Sequence, residues 1–416
     1  MKITLKKLLF VCLMLTGSLV ASAQNNCSGL NSSQCDIVNA LTTAVPFLRI
    51  APDARAGGMG DVGIATSPDP NSTFHNPAKL AFIKTFDTKS DKEYDGKTFG
   101  VSMSYTPWLR SLVNDIYLAH LTGYYKINKM QAVAMSIRYF SLGQIQFTDA
   151  SGNNLQQFRP NEFAIDGTYS RILAKGFSTG ITLRFIYSNL ASGQSVGGTS
   201  INPGIAASAD IGFYYNTDIK IKDRKSNLAV GLVFSNLGSK ISYTNSARKD
   251  FIPMNMGLGL AYSIDIDKHN SFTLAADVNK LLVPTPDPSD STQAWRDKSV
   301  PGAIFGSFSD APGGAKEEFR EFTIGVGAEY WYDKQFAVRV GYFHEAPTKG
   351  NRRYLSAGLG LRYSVFGLDF SYLIPTSAQR NPLDNTLRFT LVFNFKQVKQ
   401  GEDAPVEEGA GGTSRL

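Results

Sequence analysis

The sequence predicts an all-β fold, a fourteen-stranded antiparallel transmembrane β-barrel with an amino-terminal hatch or plug segment ahead of the first strand. Three observations predict it. Period-two alternation recurs along the chain after residue 97, where no apolar run reaches the length of a membrane helix. The alternating stretches are even in number, and the connections between them alternate long and short. One face of each stretch is apolar with tyrosines toward its ends, whereas the other carries charge.

Composition agrees with an embedded or buried core. The 416 residues are 43% hydrophobic and 12% aromatic, too apolar for a disordered chain. Three cysteines are too few for a disulfide scaffold, and no four nitrogen or sulfur ligands are spaced for zinc. His75, His120, His269 and His344 do not cluster and read as lone surface or wall residues.

Residues 1–23 read as a signal peptide. Lys2, Lys6 and Lys7 precede the apolar run from Leu8 to Val20, and Ala21-Ser22-Ala23 supplies the cleavage signature, with cleavage expected after Ala23. The run is short for a membrane helix. Lipidation is disfavoured because Asn25 and Asn26 precede Cys27. Loss of the three leader lysines lowers the formal charge from +7 to +4, so nucleic acid is not an implied partner. Cys27 and Cys35 then stand eight positions apart, as a disulfide or as two free thiols; an exported chain favours the disulfide.

Residues 24–96 show little alternation, apart from a short helix expected from Ser33 to Ala44. A stretch of roughly 70 residues is more than a leader needs. It is expected to fold back into the lumen as a hatch.

The barrel is expected over residues 97–395, with strands at 98–105, 116–126, 131–140, 162–171, 177–189, 203–215, 227–236, 255–265, 271–279, 319–332, 336–344, 354–363, 366–374 and 386–395. Leu355, Ala357, Leu359, Leu361 and Tyr363, for example, interleave with Ser356, Gly358, Gly360 and Arg362. Tyr105, Tyr125, Tyr139, Tyr169, Tyr187, Tyr215, Tyr262, Tyr332 and Tyr363 lie near strand ends, as aromatic girdles require. Arg138, Asp166, Arg184, Asp210, Asp277, Glu329, Arg339, Arg362, Asp369 and Arg388 fall on the other face. A sandwich core would not tolerate that face, but a polar lumen does. The long connections at 106–115, 141–161, 190–202, 237–254, 280–318, 345–353 and 375–385 read as outside loops, the short ones as periplasmic turns. Both termini are then periplasmic, and residues 396–416 form a polar disordered tail.

Two enzyme-like motifs lack their context. Gly58-Met59-Gly60-Asp61-Val62-Gly63 fits a dinucleotide fingerprint but does not follow an apolar strand. Gly176-Phe177-Ser178-Thr179-Gly180 fits a hydrolase elbow but leads into a strand rather than a helix. Acidic pairs such as Glu317-Glu318 read as solvated loop residues. No catalytic set, cofactor or metal site is expected, and the chain reads as a non-enzyme.

The run from Ala44 to Gly60, containing Pro52-Asp53-Ala54-Arg55-Ala56-Gly57-Gly58-Met59-Gly60, continues into Asn76-Pro77-Ala78-Lys79-Leu80-Ala81-Phe82. It resembles the amino-terminal region of FadL-type outer-membrane proteins and, more closely, of the PorV family of the type IX secretion system in Bacteroidetes. Gly302-Ala303-Ile304-Phe305-Gly306-Ser307-Phe308-Ser309-Asp310-Ala311-Pro312-Gly313-Gly314 is similar to a loop of the same family. The resemblance implies a Gram-negative outer-membrane location and a FadL-like barrel closed by a hatch. It implies a shuttle that takes cargo proteins, by their carboxyl-terminal signal domains, from the outer-membrane translocon to the surface sortase or attachment complex. Membrane lipids are the remaining expected partner.

Trp108, Leu109, Trp295, Ile304, Phe305 and Phe308 are bulky apolar residues in the outside loops and are the expected partner-binding set, with mutual packing or lipid contact as the alternative. In the hatch, Gly57, Gly58, Gly60 and Gly63 permit tight turns, Arg55 and Asn76 are expected to bond to lumen carboxylates or carbonyls, and Pro77 follows Asn76. The lumen is expected to be closed to protein passage. The rival function is transport of hydrophobic small molecules, with Phe140, Ile186 and Leu373 leaving room for a greasy lumen pocket. A surface adhesion barrel is a third reading and needs little of a hatch.

Overall fold

The computed structural model describes residues 38–86, 93–94, 98–108, 115–148, 151–191, 193–196, 199–221, 224–245, 248–376 and 386–396. The leader, Cys27, Cys35, Leu109 and the carboxyl-terminal tail lie outside the described residues. The chain divides after Val38, and the unit beginning at Asn39 contains the barrel.

Fourteen strands close on themselves: β1 Thr98–Pro107, β2 Ile116–Asn128, β3 Gln131–Leu142, β4 Asn161–Ala174, β5 Phe177–Asn189, β6 Gly204–Ile221 and β7 Arg224–Gly238 form the first half. The second half is β8 Asn255–Asp265, β9 Asn270–Leu281, β10 Thr323–Tyr332, β11 Phe336–His344, β12 Arg353–Tyr363, β13 Phe366–Pro375 and β14 Leu387–Lys396. Each strand pairs antiparallel with its sequence neighbours. β14 returns to β1 in the register Phe389 to Tyr105 and Lys396 to Thr98, which leaves no open edge.

Side-chain alternation follows the pleat. On β1, Thr98, Ser102, Ser104 and Thr106 point inward and are buried, whereas Phe99, Val101, Met103 and Tyr105 are exposed. The same split puts Leu183, Phe185, Leu258, Leu260, Val338 and Val340 outside and Arg184, Asp277 and Arg339 inside. An apolar exterior around a charged interior inverts a soluble core and matches a bilayer-facing barrel.

All fourteen strands overlap the expected positions; the tenth begins later. Residues 319 and 320 close a helix, Ala315–Arg320, rather than open the strand, because Glu318 and Glu321 turn inward to Lys280 on β9. The helix expected up to Ala44 is absent over residues 38–44. There the Asn39 amide donates to the Thr348 carbonyl (2.9 Å) and the Ala44 amide to the Phe251 carbonyl (2.9 Å), so the backbone bonds to loops instead of to itself.

Contacts made in chain order trace the path from Asn39 to Ile83. Asn39 meets the loops at 282–322 and 345–352, and Phe47 stacks on Phe140 near the long-loop end of β3. Residues 54–64 bond to Thr390, Glu329, Ser356 and Asp277 deeper in the barrel. The Ala78 carbonyl accepts from Ser170 and Ser178, and the Ile83 carbonyl from Lys126, all close to the short turns. The chain thus threads its own lumen once. Asn39 and Lys396 consequently lie at opposite mouths.

Candidate functional site: the threaded lumen and the long-loop face

Helix α1, Ala54–Gly57, starts the hatch and is capped by Asp53, whose carboxylate accepts from the Ala56 amide at 2.9 Å. The other Asp53 oxygen meets His75 Nε2 at 2.7 Å, so His75 is a buried hatch partner rather than a lone surface residue. His75 ends helix α2, Ser72–His75.

Arg55 leaves α1 toward the wall. Its Nε and Nη2 donate to the two carboxylate oxygens of Glu329 on β10 at 3.0 and 2.8 Å, and Nη1 donates to Asp69 at 2.9 Å. Glu329 also accepts from Arg339 Nε (2.7 Å), and Arg339 reaches Asp369 (2.8 Å), which is held by Arg362 (2.6 Å). A second lumen chain runs from Arg138 through Asp166 and Arg184 to Asp210 and does not include the hatch carboxylates. Charges buried this deeply persist only in such paired networks.

The glycine run packs against wall glycines. A Cβ on Gly58 would stand 3.0 Å from the Gly358 Cα, and one on Gly60, at φ +72°, would stand 2.6 Å from the Tyr342 carbonyl oxygen. Only glycine allows both the left-handed turn and the approach. The motif that fits a phosphate cradle holds a carboxylate of the wall instead: the Gly63 and Ile64 amides donate to one Asp277 oxygen at 2.7 and 2.9 Å. Asp61, between these glycines, accepts from the Tyr354 hydroxyl and from Arg388.

Asn76 caps the 3-10 helix Pro77–Phe82, its side-chain oxygen accepting from the Ala78 amide at 3.1 Å while its nitrogen donates to the Phe213 carbonyl at 3.1 Å. Pro77 sits at the first position of that helix, where its missing N–H costs nothing. Ser178, the centre of the hydrolase-like motif, donates to the Ala78 carbonyl at 2.7 Å and is a hatch anchor. Phe140 and Ile186 lie in a cluster closed by Val45, Phe47 and Leu48, and Trp108 packs edge-on to Phe140 at 6.3 Å between centroids. Leu373 packs with Phe343 and Tyr354. The greasy space expected for a small-molecule ligand is therefore occupied by protein.

At the long-loop mouth, the connection between β9 and β10 carries helices α3, Val300–Gly306, and α4, Ala315–Arg320. Ser299 caps α3 through the Gly302 amide (3.2 Å). The expected loop residues separate here. Phe305 is 80% exposed and Phe308 46%, whereas Ile304 and Trp108 pack inward and Trp295 is half-buried beside Arg296. Phe319, on α4 and 76% exposed, joins the exposed aromatics although it reads in sequence as the start of a strand. The signal that would have found it is Glu317 and Glu318 opening and Arg320 closing a short segment after two glycines, a helix-dipole pattern.

Glu317 and Glu318 are not solvated loop charges. Lys280, fully buried, donates to Glu318 (3.1 Å) and Glu321 (2.6 Å), and Lys349 donates to Glu317 (2.6 Å) and Glu321 (3.0 Å). Nearby, Arg352 makes a two-bond fork to Glu345 at 2.7 Å each, with Arg49 at 3.7 Å. Burial pushes the Glu345 carboxyl up, but the Arg352 fork and the Arg49 charge outweigh it and hold Glu345 below the ordinary glutamate range.

Among solved structures, the chain is similar to the Ralstonia pickettii toluene transporter TbuX, with 11% identity over 83% of this chain and 97% of that one and a TM-score of 0.44. It is also similar to the Pseudomonas putida toluene transporter TodX, with 12% identity over 86% and 99% and a TM-score of 0.47. No curated protein matches the sequence. The model of one protein family, described as type IX secretion system protein PorV, matches residues 32–288, which take in the threaded segment and β1 to β9 and stop short of α3. Members of that family are secretion components and not enzymes, and with a closed barrel of outer-membrane type around the matched hatch, this chain belongs to the PorV family.

Proposed function

We propose that the protein is the shuttle of a type IX secretion system: it binds cargo proteins through their carboxyl-terminal signal domains at the translocon and hands them to the surface sortase complex. In this reading the barrel sits in the outer membrane of a Bacteroidetes-type cell, with the long loops outside and the short turns in the periplasm. The carrying observation is the trio of exposed aromatics, Phe305 on α3, Phe308 in the turn just after it and Phe319 on α4, at the long-loop mouth of a barrel whose lumen its own chain fills. Large aromatics held on a fixed platform are the usual anchors of a protein interface. A filled lumen supports handling cargo on the face of the barrel rather than through it.

The test is purification of the tagged protein from native outer membranes in mild detergent after crosslinking, with mass spectrometry of proteins and lipid analysis of the same sample. Recovery of a very large barrel together with cargo sharing a carboxyl-terminal domain supports the shuttle. A bound apolar small molecule with no protein partner overturns it in favour of a transporter.

A further inference from the structure

We infer that residues 39–50 form a latch, delivered through the lumen, that sets the shape of the long-loop mouth, and that Asn39 is its positioning residue. Asn39 stands at the start of the barrel unit, yet is only 7% exposed. Its amide donates to the Thr348 carbonyl at 2.9 Å, and its carboxamide nitrogen donates to the Pro286 carbonyl at 2.8 Å and to Glu317 Oε1 at 3.0 Å. One residue thereby joins the loop 345–352 to two points of the loop 282–322, one of them on α4. Five residues on, the Ala44 amide fastens a third loop, 239–254, through the Phe251 carbonyl.

Apolar packing repeats the arrangement. Val45, Phe47 and Leu48 share one buried cluster with Phe251, Ile252, Leu282, Val283 and Ala303, against which Leu41, Val300 and Ile304 also pack. The underside of α3 therefore rests on chain that rises out of the lumen, and its upper side carries Phe305. Long connections have few ladder bonds of their own, so their order depends on what they pack against. Here that support is the far end of the hatch: Arg138 holds the Leu48 carbonyl (3.3 Å) and Thr390 the Ala54 amide (2.8 Å). Seating the hatch and shaping the loop face are a single event, and displacing the first releases the second.

That this loop face is also the docking face rests on the function proposed above; the latch does not. The test uses the full-length protein in outer membranes, with protease nicking of the loops and partner capture read on the same samples. In Asn39→Ala, nicking within 282–322 is expected to rise roughly tenfold, the size of effect that loss of one or two hydrogen bonds produces when cleavage follows local opening. The barrel's heat-dependent gel shift stays as in the parent. Asn39→Gln, which keeps the donor, is expected to recover most of the protection and of the captured partner. Ala44→Pro removes a single latch amide and is expected to expose 239–254. Parent-like nicking in both Asn39→Ala and Ala44→Pro overturns the latch. Phe305→Ala separates the two ideas: intact protection with lost capture supports the docking reading, and intact capture counts against that reading while leaving the latch standing on its nicking result.

Discussion

Arg55 and Glu329, 274 residues apart in sequence, meet as a two-bond fork at 3.0 and 2.8 Å in the barrel interior. This pair couples the seat of the hatch to the barrel wall, because Glu329 is also the acceptor for Arg339 on the neighbouring strand. A planar guanidinium matches a carboxylate in a way that lysine does not.

Arg55→Ala is therefore expected to destabilise the hatch by about 3–5 kcal/mol, the usual penalty for leaving one member of a buried pair behind. Arg55→Lys is expected to recover only part of it. Thermal unfolding followed by the folded-to-unfolded band shift on gels measures both; a parent-like midpoint for Arg55→Ala contradicts the assignment.

Gly60 and Gly152 both adopt positive φ, +72° and +82°, but only Gly60 faces a backbone atom, Tyr342 O, while a Cβ at Gly152 meets nothing within 4 Å. Alanine at Gly152 is expected to cost about 1 kcal/mol of backbone strain. At Gly60 the strain and the steric clash add, so the midpoint should fall clearly further. Equal shifts would mean that the close contact with β11 does not persist in the membrane.

Phe305→Ala and Phe319→Ala remove side chains that are mostly exposed, so folding is expected to stay within about 0.5 kcal/mol of the parent. Partner recovery from crosslinked outer membranes is where their loss should appear, each weakening capture by at least about 1 kcal/mol if they are anchors. Ile304→Ala is expected to do the reverse, since Ile304 packs against the buried cluster.

Acid should loosen the loop face while neutral pH leaves it alone. Burial raises Glu317, but the hydrogen bonds from Lys349, the Gly313 amide and Asn39, with the Lys349 charge, together outweigh it, so Glu317, like Glu345, lies below the ordinary glutamate range. A carboxylate depressed in the fold adds stability above its unfolded pKa, about 4.3, and that contribution is lost as pH falls through the folded value. Protease nicking of 282–322 and 345–352 is thus expected to be flat from roughly pH 8 to 5 and to rise below about pH 4. An acid-stable protease makes the comparison, and a rise already at neutral pH would point to another group.

The sequence alone determined the fourteen strands, the alternation of long and short connections and the inward charge set. Each is a local property, since a period of two assigns every residue to lipid or lumen without reference to any other strand. It also singled out Arg55, Asn76 and the glycine run, because such residues suit tight turns and buried carboxylates. What those residues touch was decided by tertiary structure: Arg55 finds Glu329, Gly63 finds Asp277 and Asn39 finds Glu317 only because barrel closure brings distant stretches around one threaded chain. The same holds for the outside loops, where Trp108, Ile304, Phe305 and Phe308 are alike as bulky apolar residues in sequence. The buried cluster draws Ile304 and Trp108 inward, while Phe305, Phe308 and Phe319 stay in the open, and burial of that kind is a property of the assembled mouth rather than of any local pattern.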